Sequence, residues 1–147
     1  MASKEIHNEV RVVSSVLPAV KTADTNGTGA DLALFNAAEI VFHIGVRGDT
    51  WDASNYIELE IQESADDSAY TACANASITD FVTGTNTGTF KKLATASVGS
   101  QAYRVGYLGA LRYVRPVFNF TGTHTTGTAV AAEILLAKSS REPVANP

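Results

Sequence analysis

Three histidines and one cysteine are the side chains of this sequence best suited to nucleophilic or acid–base chemistry: His7, His43, His124 and Cys73. A hydrolytic nucleophile needs a histidine within hydrogen-bond reach and an acid that orients the histidine. None of the three histidines lies in a recognisable motif of that kind. Cys73 has no basic neighbour in the sequence that would lower its thiol pKa, so we expect a buried, unreactive thiol.

Acidic residues suggest two further sites, and neither is complete. Glu58 and Glu60 share one face of a predicted strand, but alternation in a half-exposed strand gives that spacing by default, so we expect both to face solvent. The segment 24–35 begins like a calcium-binding EF-hand loop, yet its twelfth residue is Phe35 instead of glutamate. An ordinary turn is the better interpretation, with a weak calcium site as the alternative. We predict no catalytic, metal or cofactor site and no enzymatic activity.

Composition limits the class of protein and its partners. A chain of 147 residues can form one domain with a hydrophobic core, because a domain of that size buries about 70% of the surface of its unfolded chain. The formal net charge of −4 argues against a nucleic-acid partner. A single cysteine excludes an intramolecular disulfide and a zinc site built from cysteine pairs. The N-terminal segment lacks the apolar run of a signal peptide and no stretch resembles a membrane span, so we expect synthesis in a cytosol-like compartment and no membrane partner.

Short alternating segments between turn residues predict the elements that position these side chains. The predicted strands are 10–16, 39–46, 55–63, 70–73, 89–95, 102–107, 112–120 and 128–136. The sequence also predicts an exposed loop at 22–31, a hairpin connection at 47–52 and either a helical turn or an irregular crossing at 76–82. That hairpin contains Arg47-Gly48-Asp49, an adhesion tripeptide, although a turn favours glycine and aspartate in any case. The last three strands are expected to form a meander, with Pro116 at an edge or a bulge.

About eight short antiparallel strands without helical periodicity predict an all-β fold, a two-sheet β-sandwich or jelly roll. The predicted domain spans residues 10–137, between an N-terminal arm (1–9) and a C-terminal tail (138–147). Within the domain, the segment 103–120 mixes tyrosine, phenylalanine and arginine, which are enriched in protein interfaces. The alternative is that these aromatic residues fill the core while the arginines balance an acidic surface, and both interpretations can hold on opposite faces.

Four stretches of the chain carry a resemblance to a known family. They are LPAVKTADTNGTGADL (17–32), IELEIQESAD (57–66), YRVGYLGALRYVR (103–115) and FTGTHTTGT (120–128). In these strand and turn phrases, the chain resembles the capsid decoration (cement) proteins of tailed bacteriophages. The resemblance implies a structural virion protein that binds the major capsid protein on the outside of the head. Such a protein bridges neighbouring capsid subunits and stabilises the shell, with no cofactor and no reaction.

On that basis we expect self-association on the capsid lattice and an arm from Ser3 to Val16 that lies along or pairs with a neighbouring subunit. The predicted partner-binding residues are Val10, Val12, Trp51, Arg104, Arg112, Tyr113 and Arg115. Of these, Arg104, Arg112 and Arg115 are expected to form one group that pairs with acidic capsid residues. The alternatives are a carbohydrate-binding β-sandwich, in which Trp51 and tyrosines stack on sugar rings, and another virion component such as a head–tail or tail protein.

Overall fold

The computed structural model describes residues 6–82, 86–95 and 100–140. The described strands are β1 (Val10–Lys21), β2 (Thr25–Asn26), β3 (Ala30–Asp31), β4 (Phe35–Arg47), β5 (Tyr56–Ser64), β6 (Thr71–Ala72), β7 (Thr89–Leu93), β8 (Gln101–Tyr107), β9 (Tyr113–Thr121) and β10 (Thr128–Ser139). A 3₁₀ turn, Asn75–Ser77, lies where the sequence predicts a helical turn or an irregular crossing.

The strands form two antiparallel sheets packed against each other. One, the four-stranded sheet, has the order β1-β10-β4-β8. The other, the β5/β9 sheet, has β2 and β3 beside β9, and β6 and β7 beside β5. When β2 and β3 count as one interrupted strand, and β6 and β7 as another, the first strand pairs with the last and the pairing continues inward, as in a long hairpin rolled up on itself. This is the connectivity of a jelly roll, and the predicted two-sheet β-sandwich is confirmed.

Alternation along the strands directs every second side chain into the space between the sheets. The buried aliphatic residues of β10 are Val130, Ala132, Ile134 and Leu136. Phe42 of β4 lies 5.2 Å, between ring centroids, from both Phe90 of β7 and Phe118 of β9. Phe42 therefore joins the two sheets at the centre of the core.

Two predicted motifs, a meander and a hairpin, are wrong, because the strands that they join lie in different sheets. The strand β8 pairs with β4, β9 pairs with β5, and β10 pairs with β1 and β4, so the last three strands do not form a meander. The connection after β4 leads from the four-stranded sheet to β5 of the other sheet and is not a hairpin. Turn residues are alike in hairpins and in crossings between sheets, so the sequence signal does not distinguish them.

The first strand is longer than predicted, because it continues beyond Val16 to Lys21 with Pro18 inside it. The register of β1 against β10 shifts between Val16 and Ala19. Pro18 therefore occupies an irregular stretch of an edge strand, where its missing N–H breaks no regular ladder.

Pro116 lies inside the β5/β9 sheet, because β9 has neighbours on both sides. Its carbonyl accepts the Gly27 N–H at 2.8 Å, at the interruption between β2 and β3. Since the N–H and C=O of one residue point the same way in an antiparallel strand, the missing N–H of this proline faces that interruption. The prediction that Pro116 lies at an edge or a bulge is therefore wrong, because β9 is an internal strand in continuous register with β5. The strand on the other side of β9 is interrupted instead.

The prediction of an exposed loop at 22–31 is wrong, because this segment contains the strands β2 and β3 and a buried Gly27. Neither Gly27 nor Gly29 has a positive φ. Each is required by close approach instead: a Cβ at Gly27 would collide with Ser15 Oγ and the Pro116 ring, and one at Gly29 with Tyr70.

The ends of the predicted domain are only partly described. Strand β10 continues to Ser139, so the predicted boundary at residue 137 falls inside a strand. Residues 6–9 are exposed and precede β1, while residues 1–5 of the arm and 141–147 of the tail lie outside the described part of the chain.

Candidate interaction surface

The outer face of the four-stranded sheet consists mainly of small and aliphatic side chains. Val12 of β1 is paired with Leu135 of β10, which is paired with Glu39 of β4, and directly opposed residues share one face of a sheet. The other apolar positions on this outer face are Val10, Ala37, Val41, Gly45, Ala102, Gly106, Ala129, Ala131 and Ala137. We call this surface the apolar face.

Few charges interrupt the apolar face. Arg104 of β8 donates to Glu39 Oε1 at 3.1 Å, and both side chains are solvent-exposed. Exposed ion pairs contribute about 0–1 kcal/mol to stability, so this pair does little to hold the fold and is free to exchange partners. His43 and Glu133 are the remaining polar side chains toward the centre of the face.

The apolar face is open and large enough for a protein partner. Two shallow depressions of about 350 Å³ each lie on it, one beside Val10 and Leu135 and the other beside His43 and Ala131. Strands of 12, 12, 13 and 7 residues make up the sheet. At about 3.3 Å per residue and about 4.8 Å between strands, they cover about 700 Å². A standard protein interface buries roughly 800 Å² on each partner.

Strand β1 gives this sheet an edge that pairs with no other strand of the described residues. Val12 is 44% exposed, Leu17 72% and Val20 63%. Among the described residues, the outward edge is engaged only at the bulge near Ser15, where the Ser15 carbonyl accepts the Thr28 N–H at 2.9 Å. The rest of the edge offers backbone donors and acceptors beside exposed aliphatic side chains, which is the arrangement that accepts an added strand.

The structure brings together three of the predicted partner-binding residues, because Val10, Val12 and Arg104 all lie on the apolar face. The predicted partner-binding residues do not include Val41, Leu135 or the alanines between them, which lie on the same face. The signal was present in β10, where the outward positions 129, 131, 135 and 137 are as apolar as the inward ones.

The predicted group of three arginines does not form, because Arg112 and Arg115 lie at the other sheet. Arg112 holds Asp31 with two hydrogen bonds, of 2.8 and 2.6 Å, and lies 5.1 Å from the ring centroid of Tyr113. The hydrogen bond and charge of Arg112 lower the pKa of the Asp31 carboxyl. Arg115 donates twice to Gln62 Oε1 and lies 4.1 Å from the centroid of Tyr70. Both arginines have partners within the domain.

The prediction that Trp51 contacts a partner is wrong, because its side chain is only 2% exposed and belongs to the core. The Arg47 guanidinium lies 6.0 Å from its ring centroid. The same burial prevents Trp51 from stacking on a sugar ring, which removes the main support for a carbohydrate-binding site.

Glu58 and Glu60 are buried, at 3% and 6% exposed, so the prediction that both face solvent is wrong. Glu58 accepts a hydrogen bond from Asn86 Nδ2 at 2.7 Å. Glu60 accepts from Gln62 Nε2 at 2.9 Å and from Asn119 Nδ2. Two of these partner amides, Asn86 and Asn119, lie on neighbouring segments, which alternation along a single strand cannot reveal.

The residues suited to nucleophilic chemistry are dispersed. His7 and His43 are exposed and His124 is buried. Cys73 is fully buried, as predicted, and burial raises the pKa of its thiol. Among the described residues no group of three or more histidine, cysteine, aspartate or glutamate side chains is arranged to hold a metal ion, and no helix is long and apolar enough to cross a membrane.

The fold and the apolar face are the main evidence on function, because comparison with known proteins adds none. No protein-family model, curated protein or solved structure matches this chain.

Proposed function

We propose that this chain is a structural virion protein that binds the outside of a bacteriophage capsid, bridges capsid subunits and so stabilises the shell. The observation that carries the proposal is the apolar face, an open surface of about 700 Å² whose side chains are small enough to allow close approach of another protein. That area is the whole sheet face, charged residues included, and most of its side chains are apolar. Exposed apolar patches larger than a few hundred Å² mark protein-binding sites.

The β1 edge supports a bridging role, because it lies next to the apolar face and points in a different direction. One capsid subunit would cover the face through apolar contacts, and a second would add a strand along β1. Each contact can be weak, because many copies on a lattice bind with a gain from multivalency. Jelly rolls occur in viral capsid proteins and also in lectins, so the fold alone does not assign the function.

The test is co-sedimentation of the purified protein with expanded phage heads that lack it, scored by gel stoichiometry and by heat resistance of the shells. We expect saturable binding near one copy per capsid subunit and shells that withstand higher temperature. No binding of the folded protein would contradict the proposal and favour a tail or head–tail location.

A pair of matched variants then tests the apolar face. Val12→Glu places a charge on the face, whereas Leu108→Glu places the same charge on an exposed loop residue after β8. Burial of an unpaired charge costs at least about 1.4 kcal/mol, so Val12→Glu should weaken binding about tenfold or more. Leu108→Glu should bind like the unmodified chain. Equal binding of both variants would exclude the apolar face as the contact.

A further inference from the structure

The described residues contain six buried side-chain polar atoms without a hydrogen-bond partner, and five of them lie at one end of the sandwich. These five are Arg47 Nη1, Trp51 Nε1, Asn55 Oδ1, His124 Nδ1 and Thr128 Oγ1. Trp51, His124 and Thr128 are 2%, 4% and 0% exposed. Buried polar groups without partners are rare in folded proteins, so five together require an explanation.

The register of the strands directs two of these residues into the space between the sheets. Thr128 continues the inward alternation of Val130 and Ala132 along β10. Arg47 is the cross-strand partner of Thr128, since β4 has one extra residue between Ile44 and Arg47. Partners in an antiparallel pair share a face, so Arg47 also points inward.

The loops close this end of the core. Trp51 lies in the crossing from β4 to β5, with the Arg47 guanidinium 6.0 Å from its ring centroid. His124 lies in the β9–β10 turn, its ring 5.0 Å from that of Phe120 and its Nε2 3.0 Å from the Thr121 carbonyl oxygen. The Trp51 N–H, the Thr128 hydroxyl and the Arg47 guanidinium are hydrogen-bond donors at the same end of the inter-sheet space.

The positive charge of Arg47 determines which kind of ligand these donors can bind. No carboxylate of the described residues lies within ion-pair distance of Arg47. Asp49 is near in sequence, but its two oxygens accept the N–H groups of Thr126 and Gly127 at 3.0 and 2.7 Å. Arg47 is half-buried, and one of its guanidinium nitrogens, Nη1, is withdrawn from water without a partner. A cation beside two neutral donors suits an anionic ligand, because hydrogen bonds from a charged donor to an anion are stronger than neutral ones.

We propose that Arg47, Trp51 and Thr128 bind a small anion at this end of the sandwich, a site independent of the capsid-binding role. The ligand must be small, because the donor atoms are buried. The acceptors Asn55 Oδ1 and His124 Nδ1 lie on the loops that close the site and suit an accompanying water or hydroxyl group.

Trp51 is the only tryptophan of the chain, so its fluorescence reports on this site alone. Chloride is added to the full-length protein at constant ionic strength, with gluconate as the balancing anion because it is too large to enter. We expect a saturable change in fluorescence and, at ten times the midpoint concentration, a rise in Tm of about 3–5 °C. An unchanged or linearly quenched signal up to molar chloride would overturn the proposal.

Arg47→Met removes the charge and keeps much of the apolar stem, and it should abolish the saturable response. Arg104→Met removes an exposed arginine on the apolar face and should leave the response unchanged. If Arg47→Met does not fold, crystals of the unmodified protein soaked in bromide give a second measurement. An anomalous peak within hydrogen-bond distance of Trp51 Nε1 supports the site, and ordered water alone at that position overturns it.

Discussion

At the scale of single residues, Asp49 ties the crossing from β4 to β5 to the β9–β10 turn. Its carboxylate accepts hydrogen bonds from the N–H groups of Thr126 and Gly127. Both hydrogen bonds lower the pKa of the carboxyl, and the bond from Thr126 has the larger effect. Arg47-Gly48-Asp49 is therefore part of an internal contact, because its carboxylate is engaged by the neighbouring loop.

Asp49→Asn should lower Tm at neutral pH, because the charge-assisted acceptor is lost. A carboxyl with a lowered folded-state pKa contributes stability above its unfolded pKa of 3.8 and loses it as pH falls through the folded pKa. The Tm difference between the two proteins should be constant above pH 5 and shrink progressively as pH falls below about 3.8 toward the folded-state pKa, as measured by circular dichroism melts from pH 2 to 8. Asp80→Asn, an exposed control, should show no such difference. A Tm deficit of Asp49→Asn that is as large at pH 2 as at pH 7 would contradict the assignment.

Gly27 is the second residue on which the fold depends, because the chain segments around it leave no room for a side chain. A Cβ there would lie 2.8 Å from the Pro116 ring and closer still to Ser15 Oγ. Gly27→Ala should cost about 1–3 kcal/mol in the free energy of unfolding, as overpacked cores do. The neighbouring Thr28→Ala, at an exposed side chain, should change stability by less than about 0.5 kcal/mol. Urea denaturation measures the free energy of unfolding of both variants. Equal values would show that Ser15 and Pro116 move aside for a Cβ at residue 27 at little cost.

At the scale of elements, the two faces of β10 differ in packing although both are apolar. Ile134 is fully buried between the sheets, while its neighbour Leu135 lies on the apolar face. Ile134→Ala should cost about 2–5 kcal/mol, because the cavity lies in the core. Leu135→Ala should cost under about 1 kcal/mol in the isolated protein, because Leu135 remains partly exposed. Chemical denaturation distinguishes the two, and similar losses would mean that the apolar face is covered in solution.

The positions of the strands could be predicted from the sequence, because alternation is a local property of each segment. The predicted strand at 55–63 matches β5 to within one residue at either end, and that at 102–107 matches β8 equally well. Their pairing could not be predicted, because a strand shows no trace in its own sequence of which partner it will meet. Hence β8, β9 and β10 were expected side by side, although β9 lies in the other sheet.

The candidate surface was predictable to a similar extent. Strand and arginine patterns point to Val10, Val12 and Arg104, and the register of the strands brings all three to one face. Trp51 is an aromatic residue in a predicted turn, which suggests an exposed ring, but the segment that contains it folds against the core and buries it. Burial of a loop residue depends on the loop's path, which turn chemistry does not specify.

At the scale of the whole molecule, the nested pairing joins the two ends of the chain, since β1 forms its ladder with β10. Non-local pairing of this kind makes folding slow, on the order of milliseconds to seconds. The pairing with β10 also makes β1 an integral strand of the domain. Val16 is 6% exposed and packs in the core, while Ser15 donates to the Thr28 carbonyl and ties β1 to the segment between β2 and β3.

Two truncations separate the arm from the domain on this basis. Removal of residues 2–9 should leave Tm within a few degrees of the full chain, because the described residues of that arm are exposed, whereas removal of residues 2–16 should abolish cooperative unfolding. The longer deletion removes Val16 from the core and exposes the inner edge of β10. Circular dichroism melts measure both, and cooperative unfolding of the longer deletion would show that β10 does not need β1. If the arm contacts a capsid, the shorter deletion should fold normally yet occupy fewer sites on heads, and unchanged occupancy would exclude the arm from binding.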